Sequence, residues 1–221
     1  MARRVIPFFA MRAVPGLQIP MHARSGQVQL AASALAIGAL LAGWAPGVAL
    51  LLPVAGAISL WQCLAWKPWA VRRVPLMWVL YAGYAGLGLG LLAAAAQSTD
   101  AGLALGLRTA WPAHVIGVAG FAVLIIGMVT RTALGHLGRP LKSDRSMVWA
   151  YALVIAAALL RLVALWPTPF APGALHASTA AWVLAFALYL WRFAPLIRPR
   201  LDAPPGRVAV SAGRVRVQPP H

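Results

Sequence analysis

The chain has 221 residues, of which 62% are hydrophobic and only 10% are charged. A water-soluble domain of this length would need many more polar residues to cover its surface, so the composition excludes that class. The formal net charge is +16, but the cations lie at the ends of apolar stretches. That placement is typical of membrane proteins rather than of nucleic-acid-binding proteins, and we expect no nucleic-acid partner.

Apolar runs of about 17 to 25 residues recur along the chain, and each is long enough to cross about 30 Å of hydrocarbon as a helix. Their Leu, Ala and Gly residues do not alternate with polar residues as barrel strands do. The sequence therefore predicts an all-α polytopic membrane protein, a bundle of six transmembrane helices in contact with membrane lipid. The single cysteine, Cys63, lies inside an apolar run and excludes an internal disulfide.

Residues 1–27 are predicted to be a basic N-terminal arm on the membrane face, and not a cleaved signal peptide, because prolines interrupt any apolar core. The transmembrane domain, residues 28–196, follows. Its six spans are predicted at about 28–44, 48–66, 76–96, 113–130, 147–166 and 175–193. Residues 197–221 form a basic tail rich in Pro and Arg, for which we expect disorder.

The distribution of Lys and Arg predicts the orientation of the spans. Seventeen of them lie in the arm, in the loops after the second and fourth spans, and in the tail, whereas the opposite loops hold only Arg108. Because cytoplasmic segments carry the excess of Lys and Arg, both termini are predicted to be cytoplasmic.

Two histidines, His114 and His176, begin the fourth and sixth spans at the predicted outer face. The positive end of a helix and partial desolvation both favour neutral imidazole, the form that binds a metal or haem iron. Two such rings on neighbouring helices can face one iron, or hold copper with a third ligand. Alternatively, each histidine caps its helix or bonds to a loop carbonyl.

Arg161 is the only formal charge well inside a predicted span. It either extends its guanidinium to the membrane surface or pairs with an anion, such as a haem propionate, at the level of the two histidines. Tyr81 and Tyr84, one turn apart in the third span, either hydrogen-bond around such a cofactor or simply pack against neighbouring helices.

A glycine-punctuated motif ends the fourth span at the predicted inner face and contains Arg131, Gly135, His136, Gly138 and Arg139. The glycines suit a helix C-terminus and a tight turn, and the cations suit its negative end. The motif is therefore either structural or a site for an anion. His136 is also a candidate ligand for a second metal.

The stretch 131–141, RTALGHLGRPL, together with the span that His114 begins, resembles the hallmark of the NnrS family. The resemblance extends to three further stretches, residues 4–9, 74–84 and 191–196, and to His176. It implies a bacterial inner-membrane protein that contains haem and copper and is linked to nitric oxide metabolism, denitrification and nitrosative-stress resistance.

The family's usual chain is longer, and this chain resembles its C-terminal half. The resemblance therefore implies that a homodimer or a partner chain like the N-terminal half supplies further ligands. Two other functions remain open from the sequence: a half-size transporter or permease that dimerises, and a non-catalytic assembly partner in the membrane. Whether the protein is an enzyme is also open. Its three aspartates all lie outside the predicted spans, so the sequence predicts no intramembrane carboxylate relay.

Overall fold

A computed structural model describes residues 2–104, 106 and 110–197 of the chain. This part of the chain is helical, without strands. Its helices are α1 Ala2–Ala13, α2 Ala23–Leu41, α3 Ala45–Ala65, α4 Pro75–Gln97, α5 Asp100–Ala104, α6 Ala110–His136, α7 Arg145–Val163 and α8 Ala171–Ile197. Arg108 and nearly all of the tail predicted to be disordered, residues 198–221, lie outside the described residues.

Five of these helices, α3, α4, α6, α7 and α8, are long and apolar enough to cross a membrane. The chain is thus a multi-pass, all-helical membrane protein. The first predicted span overlaps α2, which is not among the five, so the count of six spans is not confirmed. α2 nevertheless lies antiparallel along α3, because Ser25 bonds to Gln62 and Gln29 bonds to Ser59.

The long helices pack in chain order, each against the next, and α4 has the central place between α3 and α6. Eleven of its 23 residues are buried. Glycines allow this close packing: a Cβ at Gly83, Gly86 or Gly90 would collide with α6, while one at Gly88 would press on α3. The pair Gly86 and Gly90 thus lets the backbones of α4 and α6 approach closely.

The N-terminal arm contains a helix that packs onto the bundle. Ile6 and Ala10 of α1 are buried, and the Phe9 ring lies 3.8 Å from the guanidinium carbon of Arg131. Arg3 donates a hydrogen bond to the carbonyl of Ala23 at the start of α2. α1 therefore closes the end of the bundle at which α4 begins and α6 ends.

Asp144 caps the N-terminus of α7 and joins it to α8. Its carboxylate accepts hydrogen bonds from Ser146 and from the amide of Met147, and it pairs with Arg192. Partial burial by itself raises the pKa of Asp144, but the bonds from Arg192, Ser146 and Met147 outweigh burial and leave the pKa below its ordinary value. The carboxylate is therefore ionised at neutral pH and already paired.

Candidate functional site

His114 lies near the start of α6, where the helix changes its geometry. The segment Val115–Ala122, directly after it, is π-helical, and regular α-helix resumes at Val123. Such segments are uncommon and frequently occur at functional sites. Within the segment, Gly117 has open space where a side chain would be, whereas Gly120 packs against Leu87 of α4.

Arg161 of α7 reaches His114. Its Nη2 lies 3.2 Å from Nε2 of the imidazole, and both side chains are partly buried. Trp111 is close in sequence to His114, and Trp166 is close to Arg161. The two tryptophan rings contact each other edge to face, with centroids 5.6 Å apart. The structure thus brings together the two ionisable residues that the sequence placed at similar depth on different helices.

This contact determines the protonation of the histidine. A guanidinium has only donors, so Nε2 of His114 must accept the hydrogen bond and carries no proton. The imidazole is then neutral, with its proton on Nδ1. A neutral imidazole has one free lone pair, and here Arg161 occupies it. A metal ion at Nε2 would therefore compete directly with Arg161.

His176 lies elsewhere. α8 packs against α7 along a stripe that contains Ala174, Ser178 and Ala181, and Ser178 donates a hydrogen bond to the carbonyl of Ala157. His176 is two residues from both Ala174 and Ser178, which is about half a helical turn. Its side chain is exposed on the opposite face. The structure does not bring His176 to the contact that α6 and α7 make at His114.

Tyr81 and Tyr84 lie in the first half of α4, whereas the part of α6 that contains His114 packs beside the second half of α4. Gly90 of α4 faces Ile116 of α6, and Tyr84 is six residues before Gly90, about 9 Å along the axis. The hydroxyl of Tyr81 donates to the carbonyl of Trp66, at 2.8 Å. Tyr84 therefore has a different set of neighbours from the proposed histidine site.

The hydroxyl of Tyr84 belongs to a polar network that the sequence interpretation missed. It donates to Oε1 of Gln62 at 2.6 Å and accepts from Nε2 of Gln29, which also donates to Ser59. A cavity of about 170 Å³ adjoins Gln62. The two glutamines were the available signal, since polar side chains inside apolar spans are uncommon and usually have a partner.

The glycine-punctuated motif divides into a structural part and a buried cation. Gly138 has a φ of +61°, and the amides of Gly138 and Arg139 bond to the carbonyls of Gly135 and Leu134. This is a Schellman motif, which explains the glycine at position 138. His136 and Arg139 are exposed at the helix end, whereas Arg131 is buried.

Haem and copper require different sets of protein ligands. His114 and Arg161 suit a haem, since one neutral imidazole can ligate the iron and one guanidinium can pair with a propionate. Within the described part of the chain, no group of three or more His, Cys, Asp or Glu side chains could hold a metal ion. These residues alone therefore do not fit a three-ligand copper site.

The sequence comparison gives one family. The model of the family described as NnrS protein matches residues 1–200, a stretch that includes every helix described above. No curated protein and no solved structure matches the chain.

Proposed function

The chain belongs to the NnrS family, and from this premise we propose that it is a haem-binding protein of the bacterial inner membrane. Its proposed role is in nitric oxide metabolism and in resistance to nitrosative stress. The contact between His114 and Arg161 carries the proposal. Here two apolar helices bring together a neutral imidazole, which can ligate iron, and a guanidinium, which can pair with an anion.

The competition for Nε2 of His114 suggests how haem would be accommodated. A haem carries two carboxylates, and a guanidinium prefers an anion to a neutral imidazole as its acceptor. If Arg161 turns to a propionate, the lone pair of His114 becomes free for the iron. Arg161 would then hold the imidazole neutral before binding and neutralise the propionate afterwards. Haem iron would provide the centre that binds nitric oxide.

His176 and His136 take a different place in the proposal. Both are exposed, so each could ligate a metal only together with groups from outside the described chain. We propose that a homodimer or a partner resembling the N-terminal half of the family supplies those groups, and that copper binds there. Tyr81 and Tyr84 have no role in this proposal, because their hydroxyls bond within the α3–α4 region.

The test is haem titration of the detergent-purified protein, followed by the Soret absorbance. We expect saturable binding that weakens in His114→Ala by more than the roughly 10- to 100-fold that loss of an outer hydrogen-bond partner costs. His136→Ala is the matched control, since it removes an exposed imidazole at the far end of the same helix. A wild-type spectrum and affinity in His114→Ala would refute the assignment of the ligand.

The polar network favours a second function, that of a permease half. Amide and hydroxyl groups lie between α2, α3 and α4, and they belong to Gln29, Ser59, Gln62 and Tyr84. Polar groups inside membranes often mark solute paths. Uptake of a solute into liposomes by haem-free protein, abolished by Gln62→Leu but not by His114→Ala, would support this function over haem binding.

A further inference from the structure

A large cavity opens at the end of the bundle where α1 packs. Its volume is about 1110 Å³, slightly above the roughly 300 to 1,000 Å³ that is usual for ligand sites. It is lined by α1, by the start of α4, by Arg131 of α6, and by the segment from Leu141 to Trp149 that leads into α7. Because α4 and α7 both begin here, the cavity lies where a membrane span meets the lipid headgroups.

The lining of this basic cavity is strongly cationic. It includes Arg12, Arg73, Arg131, Lys142 and Arg145. Among the described lining residues there is one carboxylate, that of Asp144, and it is already paired with Arg192 and hydrogen-bonded to the N-terminus of α7. The residues that line the cavity thus leave a large excess of positive charge facing its interior.

Membrane topology alone does not explain why Arg131 is buried. Exposed cations near a cytoplasmic surface follow from membrane orientation, but Arg131 is only 9% exposed. Its guanidinium stacks on the Phe9 ring, and its one hydrogen bond among the described residues goes to the sulfur of Met77, at 3.8 Å. Thioether sulfur is a weak acceptor. A buried guanidinium without an anion is costly, so an anion in the cavity would stabilise it.

The apolar part of the lining indicates which anion. Phe8, Leu141 and Trp149 line the cavity and are 46% to 66% exposed. A soluble phosphate gains nothing from these side chains, whereas an acyl chain would cover them. Among the described residues that line the cavity there is no His, Cys, Met or Tyr, so none of them is a usual protein ligand of haem iron.

We propose that the basic cavity binds the headgroup phosphate of an anionic phospholipid, with Arg131 as its innermost contact and the acyl chains passing Phe8, Leu141 and Trp149. The lipid would tie α1 to the ends of α4, α6 and α7, and so would hold the end of the bundle together. This site lies apart from His114 and does not depend on haem binding.

The test measures lipid retention by native mass spectrometry of detergent-purified protein exchanged against phosphatidylglycerol or phosphatidylcholine. We expect wild-type protein to retain phosphatidylglycerol at least about tenfold more strongly, because both headgroups carry the phosphate but the choline of phosphatidylcholine adds a positive charge that the cationic lining repels. Arg131→Met should remove this preference, whereas Arg131→Lys should keep part of it. A thermal melt in each lipid checks that the variants are folded.

A pair of neighbouring arginines provides the matched control. Arg73 lines the cavity and Arg72 is not among its lining residues, although both are exposed and directly follow the short 3-10 helix Pro68–Val71. Arg73→Gln should weaken retention, and Arg72→Gln should leave it unchanged. If Arg131→Met does not fold, this pair still decides the matter. Equal loss in both variants, or equal retention of the two lipids by wild type, overturns the proposal. Displacement of the lipid by inorganic phosphate at millimolar concentration would identify a soluble anion as the occupant instead, and would also overturn it.

Discussion

Arg161 has two acceptors available to it in the proposed haem complex, the imidazole of His114 and a haem propionate. We predict that wild-type protein binds haem more tightly than haem dimethyl ester, whose propionates carry no charge, by about tenfold or more, because a hydrogen bond to a charged group contributes roughly 1.5–3 kcal/mol. Arg161→Met should bind both forms with nearly equal affinity. Titration of each variant with each form measures the coupling.

Arg161→Lys is the control, since it retains the charge and should retain part of the preference for the free acid. The idea is wrong if Arg161→Met still discriminates between acid and ester as strongly as wild type does. In that case the guanidinium only donates a hydrogen bond to His114 and makes no contact with the cofactor.

How far the sequence predicts single residues depends on how unusual they are. Arg161 and His114 were identifiable because ionisable groups are rare inside apolar spans, but their mutual contact was not, because hydropathy gives depth and not rotation about the helix axis. Tyr84 shows the same limitation. Its neighbours Gln29 and Gln62 come from α2 and α3, and no pattern within α4 points to them.

Among the helices, α4 depends most on close backbone contact. We predict that Gly86→Ala lowers the free energy of unfolding by about 1–3 kcal/mol, and with it the melting temperature. The added Cβ would meet the backbone of Ala119 in α6, which cannot rotate away as a side chain could. The measurement is a thermal melt in detergent monitored by tryptophan fluorescence.

Gly38→Ala in α2 is the matched substitution, since a Cβ at Gly38 meets nothing within 4 Å. Alanine is the better helix former by about 1 kcal/mol, so this variant should be neutral or slightly more stable. A Gly86→Ala protein as stable as Gly38→Ala would mean that α4 and α6 are not packed backbone to backbone.

For whole helices, the sequence predicts the length of an apolar span but not which face of the helix packs against its neighbours. Five of the six predicted spans overlap a helix that is long and apolar enough to cross a membrane, because hydrocarbon thickness sets the length of an apolar run, and the first overlaps α2, which is not among the five. In lipid, however, both faces of a helix are apolar, so no periodic pattern distinguishes the buried face from the exposed one. α8 illustrates this: Ala174, Ser178 and Ala181 face α7 while His176 is exposed. α1 was missed as a packed element because its arginines and Pro7 obscure the apolar side formed by Ile6 and Ala10.

Over the whole molecule, segments that are remote in sequence gather at one end of the bundle. Residues from α1, from the loop before α4 and from the loop before α7 line the same basic cavity. Lys67 also bonds to the carbonyl of Gln18. Segments that touch one another lie on one side of a membrane, and these three carry most of the cations that predict a cytoplasmic location. The contacts therefore place these segments on one face of the membrane, which requires that α2 and α3 together cross the membrane an even number of times.

This reasoning leads to a prediction for α2. With 19 residues, α2 is about 28 Å long, close to the hydrocarbon thickness of about 30 Å, and it lies antiparallel along α3. We predict that α2 crosses the membrane, so that its two ends lie on opposite sides.

Single cysteines are placed in a Cys63→Ala background at Met21, Ala42, Arg139 and Phe170, all exposed, and are labelled with an impermeant maleimide from the periplasmic side. Ala42→Cys and Phe170→Cys should react, whereas Met21→Cys and Arg139→Cys should react only after permeabilisation. Equal reactivity at Met21 and Ala42 would show that α2 does not cross, and the reverse pattern at all four positions would show that the cationic face is outside.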